Sequence, residues 1–123
     1  MKLISVNKVL ATLCCVFLLS CHQKTETDFL VGNWKYLSIQ KNGINFIEVL
    51  DSDHLTIRPD STFEYNIESV KKQMKGNWTY SDHTLHLKYI APDTIRHFKI
   101  DILSKYELKM HEDSVFFLFR TAQ

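Results

Sequence analysis

From Val31 onward, apolar residues recur at every second position. Phe63, Tyr65 and Ile67 alternate with Glu64, Asn66 and Glu68. Leu85, Leu87 and Tyr89 alternate with His86 and Lys88, and Phe98, Ile100 and Ile102 with Lys99 and Asp101. Tyr106, Leu108 and Met110 alternate with Glu107 and Lys109. Successive side chains of a strand point to opposite faces, so each segment reads as a strand with one wet face. After residue 30 no stretch carries a capped helical period.

Turn chemistry divides the strands. Asn42-Gly43 is a hairpin signal, because both residues tolerate positive φ. Pro59-Asp60-Ser61 suits a type I turn, and Ser81-Asp82, Pro92-Asp93 and Glu112-Asp113 punctuate the later part. The resulting strands are 32–39, 44–50, 54–58, 62–69, 75–80, 84–90, 94–103, 105–111 and 114–121. That many short strands suggest an up-and-down barrel or a sandwich. Short hairpin connections favour a meander, and closing it removes the exposed edges. The expected fold is therefore all-β: a small antiparallel up-and-down β-barrel of eight to nine strands.

With 123 residues the chain is too short for two ordinary domains, and a hydrophobic fraction of 45% excludes a disordered one. Its start has a different character. Lys2 and Lys8 flank a short basic stretch, followed by Val9 to Leu19 without a charge. Eleven apolar residues suit an export signal and fall short of the ~20 needed to span a membrane. The run ends Leu18-Leu19-Ser20-Cys21, which resembles the lipobox of bacterial lipoproteins. The resemblance implies a signal peptide at 1–20 and a mature chain beginning at Cys21. There, acyl chains of the palmitate kind would be carried on sulfur and amine. Cys14, Cys15 and Cys21 are the chain's three cysteines, so the mature part has no internal disulfide to make. Residues 21–30, opening Cys21-His22-Gln23-Lys24, read as a lipidated tether, and 31–123 as the domain. His22 at the second mature position resembles the sorting pattern that favours the outer membrane. Without Lys2 and Lys8 the chain keeps 13 basic and 14 acidic side chains, a formal −1. A nucleic-acid binder needs a basic excess to displace counterions.

Gly32-Asn33-Trp34 opens the first strand with the Gly-x-Trp pattern of lipocalins. Ile57 to Phe63, Gly76-Asn77-Trp78 with Leu85-His86-Leu87, and Ile100 to Leu108 follow in the order seen in small lipocalin-like lipoproteins. Over residues 30–122 the chain resembles that family. The resemblance implies that Trp34 closes one end of the barrel and that Arg120, late in the chain, packs across it as a cation on an indole. It also implies a first strand paired with the last. Gly32 to Tyr36 and Gly76 to Tyr80 are near-copies, read as two strand starts that need close backbone approach at glycine and an aromatic plug from tryptophan.

The residues give little sign of catalysis. No Gly-x-Ser-x-Gly elbow or phosphate-cradling glycine loop is present, and the acidic pairs lie in turns. The six histidines (His22, His54, His83, His86, His97 and His111) lack the spacing of a metal site. His83 and His86 point opposite ways on a strand, and the set is expected on wet faces. The expectation is a non-enzyme without metal or cofactor. Two functions stay open. One is a cup for a small apolar or amphipathic ligand, walled by Tyr36, Phe63, Tyr65, Tyr80 and Tyr89. The other is a filled barrel that meets a partner protein through its surface. An enclosed cavity of about 300 Å³ or more would favour the cup. Oligomeric state is not legible.

Overall fold

The computed structural model describes residues 25–122. The signal segment, Cys21 and His22 lie outside them. The elements are helix α1 (Glu26–Leu30), then β1 (Gly32–Lys41), β2 (Ile44–Ile47), β3 (His54–Ile57) and β4 (Thr62–Ile67). A 3-10 turn (Glu68–Val70) leads to β5 (Lys72–Ser81), β6 (Thr84–Tyr89), β7 (Thr94–Leu103), β8 (Glu107–Glu112) and β9 (Val115–Thr121).

Each strand from β3 onward pairs antiparallel with the next, and β9 returns to β1. One edge of β1 takes β9 along nearly its full length. The other takes β3 beside Gly32–Lys35 and β2 beside Ile39–Lys41. The result is a closed eight-stranded barrel with β2 as an extra strand at one rim. Closure is what the sequence lets one expect of alternating strands with no other cover for their edges.

The turns follow their residues. Asn42 and Gly43 both have positive φ, at 54° and 75°, and so do Asp82 and His83, at 51° and 54°. Ser61 donates its N–H to the Arg58 carbonyl at 3.2 Å, closing the turn through Pro59-Asp60. Two boundaries differ by three residues from the sequence reading, the others by two or fewer. β2 stops at Ile47 because the chain leaves the sheet for the loop that Asp53 organises. β5 begins at Lys72, earlier than expected, because its first residues lie at the rim, where both faces are wet and alternation fades.

Inward parity makes the core. Trp34, Tyr36, Leu55, Ile57, Phe63, Leu85, Leu87, Phe98, Leu108 and Phe119 are all buried. Fully burying one such side chain stabilises by roughly 1.5–3 kcal/mol. β9 is less buried than its apolar run suggests. Phe119 is fully inside, whereas Phe116 and Leu118 face outward and are half-buried, Phe116 stacking on the His111 ring at 5.0 Å.

α1 and the turns after β3, β5 and β7 form the closed end. Residues 26–30, assigned to the tether by their polarity, form this helical turn. One turn is too short to show a period, but Thr25 and Asp28 make the reciprocal hydrogen bonds of a capping box. Leu30 is fully buried, and Trp34 Nε1 donates to its carbonyl at 2.8 Å. Trp78 does the same to Arg58 at 2.8 Å. Both tryptophans thus plug this end. Gly76 meets the expectation of close backbone approach: a Cβ there would lie 1.9 Å from the Lys88 carbonyl oxygen. Gly32 does not, since space is open around it.

Arg120 does not cross Trp34. It is exposed and stands in register with Lys35, while Trp34 pairs with Thr121. The reason is parity: Phe119 points inward, so its neighbour must point out. The closing contact over Trp34 comes from Leu30 instead.

Candidate functional site

At the end opposite α1 the barrel is not filled. A cavity of about 240 Å³ opens there, floored by Leu55, Leu87, Phe98 and Met110. Phe46, Val70 and Lys72 form the rim, Phe46 and Val70 with exposures of 57% and 41%. β2 carries Phe46, the 3-10 turn carries Val70 and the start of β5 carries Lys72, so both irregular pieces of the fold belong to the mouth.

Asp53 holds that rim together. Its side chain is fully buried, accepting the N–H of Leu50 at 2.8 Å and that of Glu68 at 2.9 Å. One carboxylate thereby ties the loop after β2 to the turn before β5. In sequence it is one of several acids in a loop, with nothing to mark it as buried.

Among the five aromatic residues expected in the wall, Tyr36 and Tyr65 line the cavity. Phe63 and Tyr89 stand behind, their ring centroids 5.7 Å apart. The Tyr65 and Tyr89 hydroxyls share a hydrogen bond of 2.9 Å. Tyr80 is elsewhere, at the closed end, donating its hydroxyl to Glu26 and near His83. Alternation gives the face of a strand a side chain occupies; it does not give its height in the barrel.

Arg96 was not among the expected site residues. It lines the cavity beside Phe98, its guanidinium 5.4 Å from that ring. Glu112 of β8 grips it from two sides, accepting from Nε at 2.9 Å and from Nη2. Nη1 reaches the Tyr89 hydroxyl at 3.4 Å. The pair is half-buried, with side-chain exposures of 31% and 23%. The signal was present: Arg96 shares the parity of Phe98 and Glu112 that of Met110, so two opposite charges sat on inward positions.

Proton affinities follow from this packing. Burial pushes the Tyr36 hydroxyl well above the ordinary 10.0, and the nearby Tyr65 and Tyr89 add to the effect. Tyr89 is raised too, by burial first and then by its bond to Tyr65. The hydrogen bonds it donates to Glu112 raise Arg96 above the usual guanidinium value. The site thus holds neutral phenols and an internally compensated ion pair. Tyr36 is 4% exposed; its hydroxyl bonds no described protein group and, since no buried side-chain N or O among the described residues lacks a partner, it is open to the cavity it borders.

The described histidines lie outside the cavity. His86 and His97 face each other across β6 and β7, their Nδ1 atoms 2.6 Å apart, and His111 bonds Asp101 at 2.8 Å. Among the described residues no group of three or more His, Cys, Asp or Glu side chains is placed to hold a metal ion.

The model of the lipocalin-like domain matches residues 30–110. The chain belongs to the lipocalin-like domain family. Two solved structures share its barrel. One is a lipocalin-like protein from Bacteroides uniformis ATCC 8492, 16% identical, with a TM-score of 0.63, covering 76% of this chain and 99% of that one. The other is an uncharacterized protein from Bacteroides eggerthii DSM 20697, 13% identical, with a TM-score of 0.62, covering 75% and 98%. At such identities the likeness is one of fold. No curated protein matches the chain in sequence. Within the lipocalin-like barrel, then, the plugged end belongs to the Gly-x-Trp strand and the cavity to the opposite rim.

Proposed function

We propose that this lipocalin-like chain is a lipid-anchored envelope lipoprotein, held in the outer membrane through Cys21, that binds one small apolar or amphipathic molecule in its cup. The observation that carries the binding half is the Tyr36 hydroxyl. It bonds no described protein group and is open to a largely apolar cavity, so a molecule that displaces water from the cup must offer it an acceptor. The chain enters the barrel through α1 at the closed end, so an anchor there turns the mouth away from the membrane. The reading is of a binder and not an enzyme. The guanidinium lining the cavity, Arg96, is compensated by Glu112, and Tyr36 and Tyr89 stay protonated at neutral pH.

A second reading keeps its support. At about 240 Å³ the cavity falls short of the roughly 300 Å³ that would favour a cup, and the closed half holds the buried Trp34, Phe63 and Trp78. A largely filled barrel that meets a partner protein through its surface fits that half.

Native mass spectrometry of the domain purified from its own envelope tests the choice. A retained small molecule supports the cup, and a bare mass in gentle conditions favours the filled barrel. For the anchor, Cys21→Ser should abolish membrane association and leave an uncleaved precursor. An unchanged membrane fraction would remove the lipoprotein reading. Two or three acyl chains, at about 0.8 kcal/mol per buried methylene, are ample for stable attachment.

A further inference from the structure

We propose that the cup selects an electrically neutral ligand with one oxygen at its inner end, and that the Arg96–Glu112 pair excludes carboxylates of the same shape. This rests on the ligand-binding reading above and names the class of ligand.

The charge inside the cavity is balanced, and most of its inner polar side chains bond one another. Tyr65 and Tyr89 bond each other. Arg96 gives Nε and Nη2 to Glu112 and turns Nη1 to Tyr89. Tyr36 keeps a hydroxyl that is open to the cavity and bonds no described protein group, so a ligand that displaces cavity water must receive it. A carbonyl, ether or hydroxyl oxygen on the ligand meets that need without bringing charge.

A carboxylate has no such place. Arg96 keeps two N–H groups beyond those given to Glu112 and Tyr89, but Glu112 already balances its charge. A carboxylate bonded there therefore leaves a net negative charge in the cup unless it displaces Glu112, which strands a half-buried carboxylate. Removing one partner of such a pair is costly, because the other charge stays poorly solvated. The other cation on the cavity wall, Lys72, is exposed at the rim. A head group held there gains only what a surface ion pair supplies, and it leaves Tyr36 unsatisfied. A bare alkane also leaves Tyr36 unsatisfied, so the oxygen is expected to raise affinity and not merely solubility.

Size follows from volume. A dry cavity of roughly 150 Å³ accepts benzene, so this one has room for about ten non-hydrogen atoms. Octan-1-ol and octanoate are therefore a matched pair of probes, differing in charge at one end.

The test is direct titration of the domain with both probes, by calorimetry or by amide chemical shifts. Octan-1-ol should bind at least tenfold more tightly than octanoate. Tyr36→Phe should weaken the alcohol several-fold. Glu112→Gln, which frees the charge of Arg96, should narrow the preference for octan-1-ol over octanoate about tenfold. The thermal midpoint of each variant reports whether it folds, and the wild-type comparison decides even where a variant does not. If octanoate binds as tightly as octan-1-ol, the selectivity is refuted while the cup stands. If neither binds, the cup itself falls and this inference with it.

Discussion

The hydroxyls of Tyr65 and Tyr89 meet at 2.9 Å inside the barrel, joining β4 to β6 across a strand that lies between them. Arg96 then touches Tyr89 from β7. Three strands are thus linked at one height by polar contacts in an apolar interior. Such contacts count because an unpaired member is expensive, more than because each bond is strong. Tyr89→Phe should therefore destabilise by about 1–2 kcal/mol, read as a lower urea midpoint at unchanged slope. A shift under half that size would mean that Tyr65 and Arg96 find other partners.

The same phenols predict how stability varies in alkali. Tyr36 and Tyr89 are raised well above 10.0, and Tyr80 is pushed up to about 12 by desolvation and its bond to Glu26. In each case the unfolded chain gives up the proton first. The stabilisation is complete below about pH 10 and fades as pH climbs toward the folded values. Urea midpoints should hold steady from about pH 8 to 9.5 and decline from there to about pH 11.5. Tyr36→Phe should make that decline shallower, and an identical slope would contradict the assignment.

Gly76 has no room for a methyl group. Its hypothetical Cβ would lie 1.9 Å from the Lys88 carbonyl oxygen and 3.1 Å from the Phe63 ring. The carbonyl is backbone in the β5–β6 ladder and cannot swing aside. Gly76→Ala should cost about 3 kcal/mol, at the upper end for overpacking, and lower the melting temperature by many degrees. Gly43→Ala meets no atom within 4 Å, so any cost there comes from its φ of 75°.

The plugged end makes a paired prediction about Trp34 and Arg120. Trp34→Phe removes the donor to the Leu30 carbonyl and leaves that acceptor buried, at a cost of roughly 1–3 kcal/mol. Arg120→Ala should stay within about 0.5 kcal/mol of the parent, as expected of a surface substitution. Chemical denaturation of the two variants side by side separates the Leu30 contact from the cation–π contact. An Arg120 effect as large as that of Trp34 would restore the latter.

Alternation, turn residues and length make the all-β barrel legible in the sequence, because period two is a local property each strand displays by itself. The pairing of first and last strand is legible for a related reason, since a meander with two free edges has a simple way to lose both. Parity alone also points Phe63, Tyr65, Tyr89, Arg96 and Glu112 inward. What the tertiary structure decided was height and partner. Tyr36 and Tyr80 share a parity pattern, yet one borders the cavity and the other sits at the closed end with Glu26. Arg120 carries the right charge for an indole but lies one residue out of phase with it. Asp53 reads as one loop acid among several until two backbone N–H groups from different loops converge on it. Sequence determines which way a side chain faces because that depends on its neighbours in the chain. Where along the barrel it lies, and what it meets there, depends on register and shear between strands far apart in sequence, and these are set only when the sheet closes.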